Sequence, residues 1–145
     1  MSENAKTANL IWEGRGLAFT GVGGSGFTLR IDNPAGPKAA SPMELVAIAS
    51  ASCTAMDVID ILRKKKQDVT GFEVRVIGLR TEEHPKVFTE IDLEYAVTGH
   101  HIDPKAVERA IELSLTKYCS VNAMLAAAVK INHRYQIIDA EAVAA

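Results

Sequence analysis

The chain has 145 residues, 48% hydrophobic and 23% charged, with a formal net charge of −2. That is enough for one globular domain, residues 1–145, with a core of its own. So balanced a charge gives no electrostatic footing for nucleic acid or an anionic membrane surface.

Met1–Thr7 reads as a flexible tail with no apolar leader core behind it. Asn9–Glu13 is predicted as a strand with Leu10 and Trp12 on one face, and Leu17–Thr20 as a second with Leu17 and Phe19 inward. Gly21, Gly23, Gly24 and Gly26 follow. A phosphate-binding loop would need a Lys-Ser/Thr pair and then a helix; neither follows, so these glycines read as a turn. Phe27–Asp32 alternates as a third strand, with Phe27, Leu29 and Ile31 opposite Thr28, Arg30 and Asp32. Asn33–Ala40, with two prolines and a glycine, is a loop.

Ser41–Gln67 is predicted as the long helix around which the chain is organised. Ser41 caps it, Pro42 takes the first helical position and Glu44 completes a capping box. Arg63, Lys64, Lys65 and Lys66 place cations at the negative end of the helix dipole. Leu45–Met56 holds no charge, a run too short to span a bilayer but apolar around most of a helix. One sheet covers one side of such a helix. A second copy of the chain is expected to cover the rest, giving a homodimer.

Phe72–Arg80 and Val87–Val97 alternate on either side of Thr81–Lys86 and read as an antiparallel hairpin. Asp103 caps a second helix from Pro104 to about Tyr118, with Ile102 stapled onto Val107. Its apolar stripe is Val107, Ala110, Ile111, Ser114 and Tyr118. Cys119–Asn122 interrupts the pattern and Ala123–Val129 resumes it, which predicts a bend or a fresh helix start with Cys119 near its N-terminus. Ile131–Ile138 is the last strand, with Ile131, His133, Tyr135 and Ile137 inward, and Asp139–Ala145 is a second tail. Three strands, a long helix, two strands, helices and one strand do not make a regular βαβα alternation. The expected class is α+β, with antiparallel sheets packed around long central helices.

No metal site or cofactor is expected: His84 sits in a loop, adjacent side chains such as His100 and His101 seldom converge and have no third ligand spaced to help, and there is no C-x-x-C. Two cysteines in a chain without secretory signals fit the cytoplasm, where a bonded pair would be transient and chemical. A cysteine is by default a small buried hydrophobe. Cys53, however, lies among Ala47, Ala49, Ser50, Ala51, Ser52 and Ala55, small enough to leave its sulfur reachable. Cys119, at a helix N-terminus, would have its pKa lowered toward the reactive thiolate.

The runs S-P-M-E-L-V-A-I-A-S-A-S-C-T-A-M-D-V and T-K-Y-C-S-V, with the strand pair between them, resemble the OsmC/Ohr family of osmotically inducible and organic hydroperoxide resistance proteins. The likeness runs from about Ala8 to Ile138 and is to a subgroup with S-P-M-E before the reactive cysteine. It implies an intertwined homodimer with the long helices buried centrally and active sites at the subunit interface. It also implies thiol peroxidase chemistry. Cys53 matches the peroxidatic position and would be oxidised by an organic hydroperoxide to a sulfenic acid. Cys119 matches the resolving position and would condense with that acid to a disulfide. A dithiol, such as a lipoyl group, would restore both thiols. Met43, Leu45 and Met56 would supply apolar pocket neighbours. Where the family's peroxidases carry a glutamate ten residues before the reactive cysteine, this chain has Met43. Glu44 is the adjacent candidate, although one residue is about 100° around a helix. Arg15 is the nearest candidate for the arginine that would hold the thiolate, with Arg30 the alternative. The competing reading, favoured by Met43, is a non-catalytic small-molecule-binding or redox-sensing protein.

Overall fold

The structure is a computed structural model that describes residues 4–144. Of the two expected tails, residues 1–3 and 145 lie outside the described residues. The chain forms two compact units, one ending at Val46 and the other starting at Ala47.

The first unit is an antiparallel meander, β1 (Ala8–Trp12), β2 (Phe19–Gly23) and β3 (Thr28–Ile31), in that spatial order. Gly21 pairs with Leu10 on one side and Leu29 on the other, and a Cβ there would meet Ile31 Cδ1 at 3.0 Å. The later glycines make the β2–β3 turn as predicted: Gly26 has φ 97° and its N–H donates to the Gly23 carbonyl. Of the two residues predicted inward, Phe19 is half-buried and Leu17 is more than half exposed, as are Leu10, Ile11, Trp12 and Phe27. Strands of four and five residues bring too little chain of their own to cover both faces of β1.

Helix α1 spans Pro42–Lys64. Its capping box forms as predicted: the Ser41 N–H donates to Glu44 Oε1 at 3.0 Å, and the Glu44 N–H donates to Ser41 Oγ at 3.2 Å. Ser50, Thr54, Val58 and Leu62 form a buried stripe at i, i+4 spacing, while Ile48 and Met56 are 55% and 70% exposed. Within one copy, one stripe of α1 is therefore buried. By length and mean hydropathy (1.8 over its most apolar 18 residues) α1 could cross a membrane, which the shorter uncharged run did not suggest. Its buried stripe is nonetheless half hydroxyl, and both hydroxyls bond within the second unit.

In the second unit β4 (Asp68–Arg80), β5 (Phe88–His100) and β6 (Lys130–Asp139) make a sheet in that order. The β4–β5 hairpin is antiparallel as predicted. β6 instead runs parallel to β5, from Glu90↔Lys130 to Gly99↔Asp139, so this sheet is mixed rather than antiparallel. A helical connection long enough to return the chain to the far end of β5 makes that pairing available. Alternation on β5 buries Ile91, Leu93, Tyr95 and Val97.

That connection begins with α2 (Pro104–Leu113), capped by Asp103, whose carboxylate accepts from the Lys105 N–H. Ala106, Val107, Ala110 and Ile111 are its buried face. A single π turn, Ser114–Tyr118, follows, closed by the Cys119 N–H donating to the Ser114 carbonyl at 2.8 Å. A wider turn advances each residue by a smaller angle than an α-helix does. Tyr118, predicted inward, is consequently 52% exposed, and Cys119 is 2% exposed. Helix α3 (Ser120–Leu125) starts there. His133, expected on the inner face of β6, is exposed. The expected second tail is ordered from its first residue: Asp139 ends β6, and Ala140–Ala144 forms α4, whose Glu141 carboxylate lies 3.3 Å from His100 Nδ1.

Candidate active site

Both thiols belong to the second unit, where Cys53 lies near enough to Cys119 to bear directly on its protonation. Cys53 is half-buried, at the border between the buried stripe of α1 and the exposed Met56. Cys119 is the N-cap of α3, and its Sγ accepts the Asn122 N–H at 3.4 Å. Asn122 ties the two helices together. Its amide accepts from Ser50 Oγ at 2.6 Å and donates to the Ser50 carbonyl at 3.1 Å, less than one turn before Cys53.

A second buried chain of polar groups runs beside the thiols. Tyr95 Oη lies 2.7 Å from Thr54 Oγ1, and Ser114 Oγ lies 2.8 Å from Thr54 Oγ1 and 2.9 Å from Asp57 Oδ2. Each hydroxyl has one proton and a carboxylate only accepts. The chain therefore has one sense: Tyr95 donates to Thr54, Thr54 to Ser114, and Ser114 to Asp57. Asp57 also lines a cavity of about 310 Å³ with Asp60, Ile61, Lys64, Leu113 and Tyr118.

Burial pushes the Cys119 thiol up from 9.0 to about 11, and the neighbouring Cys53 sulfur, which favours the protonated Cys119, adds to the rise. This reverses the expectation of a lowered value. The Asn122 N–H does favour the thiolate, but one N–H at the head of a six-residue helix does not offset the loss of water. Burial likewise holds Tyr95 as a neutral phenol, with its pKa at about 12.

Of the residues singled out from sequence, Cys53 and Cys119 are thus brought together. Arg15, Glu44 and Met43 belong to the first unit. The exposed Arg15 guanidinium is 3.5 Å from Glu13, whose carboxylate also takes two hydrogen bonds from Arg30, at 2.8 and 3.1 Å. Glu44 is engaged in its capping box, which holds its carboxyl below the usual range. Met43 is half-buried in the first turn of α1. Among the described residues no three His, Cys, Asp or Glu side chains gather as metal ligands.

Sequence reasoning missed Thr54, Asp57, Tyr95, Ser114 and Asn122. A signal was present for one of them: Asp57 follows Cys53 by four residues, which puts both on one helix face.

Fold and site together define an α+β protein with a paired-thiol centre. Residues 35–134 match the family described as OsmC-like protein, and the chain belongs to that family. Protein YhfA of Escherichia coli (strain K12) is 46% identical over 125 residues, spanning 86% of this chain and 93% of that protein. A hypothetical protein from Aquifex aeolicus VF5 superposes with a TM-score of 0.83 at 32% identity, over 94% of this chain and 98% of that one. The organic hydroperoxide resistance protein OhrB of Bacillus subtilis shares the fold, with a TM-score of 0.62 at 14% identity over 93% of this chain and 100% of that one.

Proposed function

We propose that this protein is a thiol peroxidase that reduces organic hydroperoxides, with Cys53 as nucleophile and Cys119 as resolving thiol. The observation that carries the reading is the juxtaposition of the two thiols, one half-buried and the other buried. In the first step the Cys53 thiolate attacks the terminal peroxide oxygen. An S–O bond forms and the O–O bond breaks. The alkoxide takes up the proton that the thiol gave up and leaves as the alcohol, while the sulfur is oxidised to sulfenic acid. In the second step the Cys119 thiolate attacks the Cys53 sulfur: the S–S bond forms, the sulfenic S–O bond breaks, and hydroxide leaves as water with the proton that the Cys119 thiol gave up. An external dithiol of the lipoyl type reduces the disulfide and becomes a disulfide itself.

The working form we propose is a homodimer in a reducing compartment, the cytoplasm. Its support is the apolar surface a single copy leaves open: Ile48 and Met56 on α1, and Leu10, Ile11 and Trp12 on β1. Sedimentation at micromolar concentration should give twice the chain mass. The activity test is consumption of cumene hydroperoxide in the presence of dihydrolipoamide. Wild-type protein should show it and Cys53→Ser should not. Equal rates for the two would leave the non-catalytic binding reading in its place.

A further inference from the structure

We propose that Asp57 is a positioning residue for the resolving thiol: through the Ser114 hydroxyl it fixes the head of the π turn on α1 and so sets where Cys119 meets Cys53. This rests on the thiol exchange proposed above and adds to it the device that holds the second sulfur in place.

Ser114 ties the π turn to α1. Its hydroxyl lies 2.9 Å from Asp57 Oδ2 and 2.8 Å from Thr54 Oγ1, and its carbonyl accepts the Cys119 N–H at 2.8 Å. Two hydrogen bonds through one residue thus link the Asp57 carboxylate to the backbone of Cys119. On α1 itself Asp57 and Cys53 are one turn apart on one face. The group that anchors the π turn and the sulfur that Cys119 must reach therefore move together.

The anchor matters because a π turn is the less favoured local geometry. Relaxed to an α-helix by one residue, it would carry Cys119 about 100° around the axis and away from Cys53. Ser114 is fully buried, so its hydroxyl has no water to turn to. Asp57, by contrast, faces the open cavity, which keeps its charge partly hydrated while its inner oxygen accepts. A carboxylate at this end also gives all three hydroxyls of the chain a single donor direction, which a group able to donate would not.

The test uses 5,5′-dithiobis(2-nitrobenzoate) on the whole protein. The reagent forms a mixed disulfide with Cys53 and releases one thionitrobenzoate. The Cys119 thiolate then attacks the Cys53 sulfur, closes the protein disulfide and expels the second. That second release is first-order, and its plateau at high pH reports positioning rather than ionisation. Asp57→Ala and Ser114→Ala should each lower the plateau about tenfold or more, and the double variant should fall no further than the worse single one. Asp57→Asn keeps an acceptor for Ser114 and should stay within about threefold of wild type. The groups facing Cys119 are Cys53 and Asp57 from α1 and Tyr95 from β5. Both Asp57 variants remove one negative charge, so the pH midpoint of the second release should fall in both.

A plateau for Asp57→Ala within about twofold of wild type overturns the proposal, as do additive losses in the double variant. Asp57→Leu, which keeps the branched side-chain shape without an acceptor, takes the place of Asp57→Ala if that variant does not fold. The probe needs no hydroperoxide, which separates the two readings. The variant pattern without peroxide reduction removes only the peroxidase. Peroxide reduction with an unchanged Asp57→Ala plateau removes only the anchor, and a wild type that releases a single equivalent removes both.

Discussion

Cys53 and Cys119 are the same side chain in two unlike settings. Cys53 lies in the middle of a long helix, where the backbone N–H groups are already bonded and give its sulfur no help, but small neighbours leave it half-buried. Cys119 sits at a break between two helical segments, with its own N–H bonded to Ser114 and its sulfur accepting from Asn122. It is almost completely enclosed, and enclosure outweighs the N–H bond in setting its protonation. The lesson is that helix position alone does not rank thiols. Access to solvent decides, and it divides the pair into one group that a small molecule can meet and one that waits as a thiol.

The largest expected effect tests that division directly. Cys53→Ser should lower the rate of hydroperoxide consumption by roughly a hundredfold or more, because a hydroxyl at neutral pH is not a comparable nucleophile. Cys119→Ser should keep the first oxidation and lose recycling by dithiol, with turnover down by about tenfold or more. The Cys53 sulfenic acid should then accumulate and be trapped by dimedone as a mass increase on the Cys53 peptide. If the two variants behave alike, the sulfurs are not divided as their burial suggests.

A smaller effect concerns the enclosure of Cys119. Tyr95→Phe removes the donor at the far end of the hydroxyl chain and leaves Thr54 with an unmet buried acceptor. It should cost about 1–2 kcal/mol in urea denaturation. The dependence of stability on pH follows from the two raised values. A thiol or phenol whose pKa is higher in the folded state favours the folded state fully below its unfolded value and loses that contribution as pH rises through its folded value. Stability should therefore be flat below about pH 9, and the Cys119 contribution should disappear between there and about 11. Tyr95 should add a further loss between its ordinary 10.0 and about 12. In Cys119→Ala the first part of the decline should be missing and the second should remain. The smallest effect is expected from Glu44→Ala, which opens the capping box at the exposed start of α1 and should lower the thermal midpoint slightly.

The elements were largely legible because their signals are local. Alternation marked five of the six strands near their observed bounds, and Ser41, Pro42 and Glu44 or Asp103 and Pro104 marked where their helices start. Cys119 at a helix start could be read from the break in the apolar stripe. What was not legible depends on partners distant in sequence. A period-two pattern carries no direction, so the parallel pairing of β6 could not be distinguished from an antiparallel one. The spacing of Ser114 and Tyr118 fits an α-helix, so nothing in the residues gave away the π turn or the outward turn of Tyr118. The roles of Asp57 and Asn122 could not be read because the groups that bond them, Ser114 and Ser50, lie more than fifty positions away in the chain.

The connection between β5 and β6 bears on when the sulfur pair exists at all. Cys119 rides on that connection, whereas Cys53 precedes the whole sheet in the chain. The two are held together by bonds from the connection to α1, Ser114 to Asp57 and Asn122 to Ser50, which close only after some sixty residues of chain have intervened. A chain still emerging from the ribosome, or one partly melted, has two separate thiols and no centre. Competence for disulfide chemistry is thereby tied to the return of the connection onto α1.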